Sequence, residues 1–152
     1  MSGLNGLLAC AGNWQGTNRL QDPHSNSPEE TPSTATVTPV LGGRFVRLDY
    51  TWTYHGEPQE GSLLIGYERK INVVTAYWID SWHMSDKVME CRGAAVDGEI
   101  LLLGSYAAPP GPDWGWRITI ATREADRFNI TMHNVEPGGH ESLAVESQYY
   151  CL

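Results

Sequence analysis

The run Asp80-Ser81-Trp82-His83 is the one place in this sequence where a carboxylate, a hydroxyl and an imidazole crowd together. A nucleophile triad needs such groups to converge through hydrogen bonds, and neighbours on an extended segment point apart. The run therefore reads as a strand-end turn in which Asp80 bonds nearby backbone amides. If the fold holds a polar ligand, Asp80 and His83 are rim contacts. His24, His55, His83, His133 and His140 show no H-x-H or H-E-x-x-H spacing, so no metal site and no cofactor is indicated. A sheet that closes on itself could still bring single histidines to an interior position, as it can for a single haem ligand.

Recognition is the second chemistry on offer. Tyr50, Trp52, Tyr54, Tyr67, Trp78 and Trp116 fall at positions that read as inward-facing. Each brings a donor that costs about 1 to 3 kcal/mol if it is buried without a partner. Leu, Ile and Val would fill a core without that cost. Either these donors find backbone and water partners near the mouth of the fold, or they are held for a ligand. The expected binding set is Tyr50, Trp52, Tyr54, Tyr67, Trp78, Asp80, His83 and Trp116. The competing reading is an interior packed solid by its own side chains.

The elements that must position these residues are strands. Val46, Leu48, Tyr50, Trp52 and Tyr54 alternate with Arg47, Asp49, Thr51, Thr53 and His55, the period of a half-buried strand. Residues 56–61, Gly-Glu-Pro-Gln-Glu-Gly, are expected to reverse the chain, and Ser62 to Glu68 returns. Ahead of this hairpin, Leu4, Leu7, Leu8 and Ala11 have helical spacing, with Ser2 as N-cap and Gly12 as stop. Gly12 to Leu20 follows as a first strand in which Gly16 allows a bend or a close backbone approach. Asp22 to Ser33 carries three prolines and no apolar residue, so it reads as a surface loop before a short strand over 35–40.

Further strands are expected over 71–80, 88–95, 99–106, 114–122, 127–133 and 143–150. Asp97-Gly98 joins two of them as a strong hairpin signal. Residues 71–80 are apolar on both faces, which implies cover on both sides or an ambiguous facing. Sequential strands joined by short turns describe an antiparallel meander. With about eight to ten strands and one apolar face each, the economical closure is an up-and-down β-barrel spanning residues 1–152, with Val46, Leu48, Tyr50 and Trp52 inside.

Composition sets the outer bounds. Gly 16, Pro 9, six Trp and seven Tyr suit an all-β chain, and 152 residues fit one domain. A net charge of −8 with no basic run argues against nucleic acid and anionic membranes as partners. Cys10, Cys91 and Cys151 are an odd number without C-x-x-C spacing, which points to free thiols in a reducing cytosol. Leu7-Leu8-Ala9-Cys10 lacks the basic start and apolar run of a lipoprotein signal. No apolar segment approaches the roughly 18 residues of a membrane span. A cytoplasmic location follows, and a homodimer is compatible with the sequence.

Gly12-x-Trp14-x-Gly16 resembles the G-x-W signature of the calycin superfamily, which includes the lipocalins and the fatty-acid-binding proteins. In order along the chain, it combines with Leu41-Gly42-Gly43-Arg44-Phe45, Gly61 to Tyr67, Tyr77-Trp78-Ile79-Asp80-Ser81, Gly98-Glu99-Ile100-Leu101-Leu102 and Arg117-Ile118-Thr119. That series is similar to a bacterial family of calycin-like barrels of unknown function, over nearly the whole chain. The resemblance implies the fold and transfers no catalytic residue. It also implies that Trp14 closes the barrel base over the N-terminal helix. Fatty-acid-binding proteins place a helical lid between their first two strands, and the proline-rich 22–33 segment cannot build one. The resulting expectation is a barrel that binds a small apolar or aromatic molecule in its interior without catalysis. The alternatives are an isomerase or cyclase using Asp80 or a tyrosine as acid or base, and a solid-core interaction module.

Overall fold

Alternation of apolar and polar residues dominates the chain, and in the computed structural model it produces one closed sheet. The structure describes residues 3–151, so Ser2, the expected helix cap, lies outside the described residues. The elements are α1 (Asn5–Leu8), β1 (Gly12–Leu20), β2 (Glu29–Val40), β3 (Phe45–Tyr54), β4 (Glu57–Glu68), β5 (Val73–Asp80), β6 (Met89–Val96), β7 (Glu99–Tyr106), β8 (Trp114–Glu124), β9 (Arg127–Val135) and β10 (Glu141–Cys151). Every strand pairs antiparallel with its neighbours in the chain, and β1 pairs with β10 to close the barrel. Val46, Leu48, Tyr50 and Trp52 all point inward, each at most 6% exposed.

Two hairpins turn on left-handed pairs. His55 and Gly56 have φ of 46° and 82°, and Asp97 and Gly98 have 46° and 80°. Positive φ at both central residues is the geometry that matches the twist of the flanking strands. The 55–56 turn is shorter than the sequence suggested: β4 starts at Glu57, and residues 57–60 pair with β3 instead of forming a loop. Likewise β2 begins at Glu29, inside the segment expected to be loop.

Staggered ladders explain both differences. Pro32 pairs with Thr17 of β1, but the β2–β3 ladder begins only at Ala35. Pro58 pairs with Thr53 of β3, but the β4–β5 ladder begins only at Gly61. Each proline sits where its strand has a neighbour on one side, the edge-like position that tolerates a missing N–H. Side chains span the gap beside β2: Ser33 Oγ donates to Thr51 O at 2.6 Å, and Thr34 N donates to Thr51 Oγ1 at 3.1 Å.

The two ends of the barrel differ. At the base, Leu7 of α1 and the preceding Leu4 are buried, and Trp14 Nε1 donates to Cys10 O at 2.7 Å while its ring stands edge-on to Phe128. Gly16 is the close approach that its type allowed, since a Cβ there would collide with the carbonyl of Gln148 on β10. The mouth carries the longer connections, 21–28, 81–88, 107–113 and 136–140. On β5 the ambiguity of facing is resolved: Val74, Ala76, Trp78 and Asp80 are buried, whereas Tyr77 and Ile79 are about half exposed on the outer surface. No helix among the described residues is long and apolar enough to cross a membrane.

No disulfide joins cysteines among the described residues; Cys10 and Cys91 are buried and Cys151 is exposed. Burial, and then the nearby Cys151 sulfur, pushes the Cys10 thiol up, and burial followed by Glu90 raises Cys91 to about 11. Because the thiolate is the reactive form, a thiol reagent at neutral pH should label Cys151 rapidly in the native protein and all three cysteines after unfolding without reductant. A single label after unfolding would mean that a disulfide had formed.

Candidate functional site

The site is built where β5 ends. Beyond Asp80 the chain turns back over the mouth, with Met84 N donating to Asp80 O and Lys87 N to Met84 O. This turn aims the Asp80 side chain at its own loop. Oδ1 accepts the amides of Trp82 and His83, both at 2.9 Å, and lies 3.1 Å from His83 Nδ1. Oδ2 accepts Tyr50 Oη at 2.6 Å, and Tyr50 Oη in turn accepts Trp78 Nε1 at 2.9 Å.

Burial by itself would raise the Asp80 carboxyl. The His83 side chain and amide and the Tyr50 hydroxyl outweigh it and hold the group below its ordinary value. An ionised carboxylate only accepts, so His83 Nδ1 carries the proton of that contact and Nε2 is the ring's remaining nitrogen. Burial first, and Asp80 second, push the Tyr50 phenol well above its usual range.

One glycine makes the arrangement possible. Tyr50, Gly61 and Asp80 lie abreast on β3, β4 and β5, and the phenol crosses the middle strand to reach the carboxylate. A Cβ on Gly61 would occupy the space of Tyr50 Oη.

Aromatic rings surround His83. Ring centroids of Trp52, Trp78, Trp82 and Trp116 lie 5.5, 5.7, 4.7 and 5.5 Å from the imidazole. Trp78 and Trp116 stack at 5.3 Å, and Tyr106 stands edge-on to Trp116 while its hydroxyl donates to Asn134 Oδ1. Over this cluster opens a cavity of about 640 Å³, walled by Trp78, Trp82, His83, Met84, Tyr106 and Trp116 together with Gln21, Pro23, Ser85, Lys87, Val88, Met89 and parts of β7, β9 and β10. Below it the barrel is filled. The void between Asn18, Trp52, His83, Ser147 and Tyr149 measures about 10 Å³, near the space of one water. Trp116 is 5% exposed, and its Nε1 has no hydrogen-bond partner among the described residues.

The structure divides the residues singled out by sequence. Trp78, His83 and Trp116 meet at the cavity, Trp52 packs just beneath, and Tyr50 and Asp80 lie in the buried network behind them. Tyr54 stands at the mouth against Trp82, at 4.9 Å. Tyr67 is at the opposite end, where its ring and Ala95 flank Gly3 and its hydroxyl donates to Asn72. Asp80 is buried, with a side chain 1% exposed, instead of standing on the rim. Ser81 points outward, donating to Gln59 Oε1 and accepting from Glu60 N, so it takes no part in a triad. Trp82, Met84 and Tyr106 were not anticipated. The available signal was an indole and a thioether in a connection between strands, where apolar side chains must find cover.

Comparison with known proteins adds the family. Residues 5–150 match the family described as "Protein of unknown function (DUF1579)", and the chain belongs to it. Among solved structures, Rv2717c from M. tuberculosis aligns over 100% of this chain and 98% of its own at 13% identity, with a TM-score of 0.63. The S-type phycobiliprotein lyase CPES from Guillardia theta aligns over 99% and 92% at 14% identity, with a TM-score of 0.58. Both likenesses are of fold. No functionally curated protein matches the sequence.

Two outcomes follow from the Asp80 network. Since the folded state holds this carboxyl below its ordinary value, it contributes stability that is fully present above about pH 4 and is lost as pH falls through its native pKa. Stability measured by urea unfolding should decline on that acid side, and Asp80→Asn should flatten the decline. Gly61→Ala should cost about 1 to 3 kcal/mol by displacing Tyr50 from Asp80 and Trp78; an unchanged unfolding midpoint would show that the network does not depend on the gap.

Proposed function

We propose that this member of the DUF1579 family binds a small, largely apolar or aromatic molecule in the mouth of its barrel and carries out no reaction on it. The observation that supports this reading is the 640 Å³ cavity walled by indoles, a phenol and thioethers; one of those wall residues, Trp116, has a buried Nε1 with no partner among the described residues. Concave, mostly apolar space with a few directional donors is the usual form of a small-molecule site, and the size lies within the usual range. Trp78, His83 and Trp116 are the contacts carried over from the sequence; Trp82, Met84 and Tyr106 join them.

The barrel interior expected to hold the ligand is occupied by Leu48, Leu63, Trp78, Phe128 and Tyr149. The proposed ligand therefore rests on top of the core. Against an isomerase or cyclase that uses Asp80 or Tyr50, both Asp80 oxygens are engaged and the Tyr50 hydroxyl already donates and accepts. A filled interior alone would suit an interaction module; the open mouth favours the ligand. The Gly12-x-Trp14 strand, whose indole seals the base, supports reading the barrel as calycin-like.

Titration with N-phenyl-1-naphthylamine, an uncharged aromatic fluorophore, tests the reading. Its emission should rise on binding while tryptophan emission is quenched. Ala107→Trp, which puts an indole at the cavity wall, should weaken binding by about tenfold or more with little change in thermal midpoint. Undiminished binding in that variant, or none in the native protein, would sink the proposal.

A further inference from the structure

The charge around the mouth cavity runs against the charge of the chain. The protein has 18 acidic and 10 basic side chains, yet no Asp or Glu walls the cavity, and the one formally charged side chain there is Lys87. Asp22, Asp86 and Glu90 adjoin wall residues in the chain without being part of the wall: the Asp22 carboxylate accepts His24 N and faces His55, and Asp86 and Glu90 are exposed. Asp80 lies beside His83, which does line the cavity. Its oxygens face Tyr50, His83 and two backbone amides, and it is no part of the wall. The wall residue Trp116 has a buried N–H without an acceptor among the described residues. A ring of indoles could otherwise attract a cation. Here the chain's own His83 imidazole already sits among Trp52, Trp78, Trp82 and Trp116, with Asp80 beside it.

We infer that the mouth cavity selects an aromatic molecule bearing an anionic group, such as a carboxylate or sulfonate, whose rings rest on the indole wall and whose charge lies toward Lys87. This deepens the binding reading above and rests on it. A chain with net charge −8 repels anions at a distance, so such a ligand can be held only where carboxylates are absent and a cation and free donors are near. The wall of the cavity holds the cation and no carboxylate. Its exposed lysine gives selectivity more than strength, because a solvent-screened ion pair contributes about 1 kcal/mol or less.

Two fluorophores that share a ring system separate the steps: 8-anilinonaphthalene-1-sulfonate, which is anionic, and N-phenyl-1-naphthylamine, which is not. Lys87→Gln should weaken the sulfonate by about two- to fivefold and leave the neutral compound unchanged. Lys70→Gln makes the same change of net charge at the 69–72 turn, at the base end, and should alter neither. Trp116→Phe, which keeps a ring and removes the N–H, should weaken the sulfonate more than the neutral compound. Sulfonate binding that is indifferent to Lys87→Gln, or equally weakened by Lys70→Gln, would overturn the inference while leaving the binding reading in place. Failure of both fluorophores to bind would overturn the binding reading itself.

Discussion

The interaction on which the rest depends is the burial of the Asp80 carboxylate. An ionised group removed from water is costly unless hydrogen bonds replace its hydration. Here four donors do so: the Tyr50 hydroxyl, the His83 ring and the amides of Trp82 and His83. Those donors come from β3 and from the loop after β5, so satisfying one charge fixes the loop over the barrel. The same set of bonds turns His83 inward and brings Trp82 against Trp52 and Tyr54. Core and mouth cavity are therefore two sides of one floor, and the polar network is what separates them.

A second polar network across the barrel follows the same plan. Tyr149, Gly16 and Ser33 lie abreast on β10, β1 and β2, and the phenol spans the glycine strand to reach Ser33 Oγ at 2.8 Å. Ser33 donates its own O–H to Thr51 O, so Tyr149 is the donor of that pair. Twice, then, a tyrosine crosses a glycine in the neighbouring strand to a polar group one strand further on. Each crossing ties three strands together by side chains in addition to their ladders. A closed sheet of ten strands has few long-range contacts other than its ladders and its filling, and such ties help to fix its register.

Much of this architecture was legible in the sequence because it is local. The alternation of Val46 to Tyr54, the Asp97-Gly98 turn and the close approach at Gly16 each depend on a few neighbouring residues, and each appears in the structure. What could not be read depends on which strands face one another. Gly61 looked like a turn glycine because Pro58 precedes it, yet its use is to let Tyr50 pass, which only the β3–β4–β5 register shows. The prolines misled for a related reason: a strand may be paired on one side and free on the other, and sequence does not say where a ladder stops. The strand-end turn after Asp80 was legible, and Asp80 accepts the amides of Trp82 and His83 as that reading expects. What the sequence did not show is that the same turn brings the His83 ring back onto the carboxylate and buries both beneath the mouth.

Many of the aromatic donors find acceptors within the chain. Trp14 donates to Cys10 O, Trp78 to Tyr50, Tyr50 to Asp80, Tyr149 to Ser33, Tyr67 to Asn72 and Tyr106 to Asn134. Most of these donors belong to packing, which is why the interior is solid. Trp116 is different: its indole N–H is buried and has no acceptor among the described residues. A phenylalanine at that position could stack on Trp78 and fill similar space without a penalty of about 1 to 3 kcal/mol for an unmet donor. Trp116 shares the wall beneath the cavity with Trp78 and His83, so an acceptor for this donor would have to be a water or another molecule and not a residue of the chain.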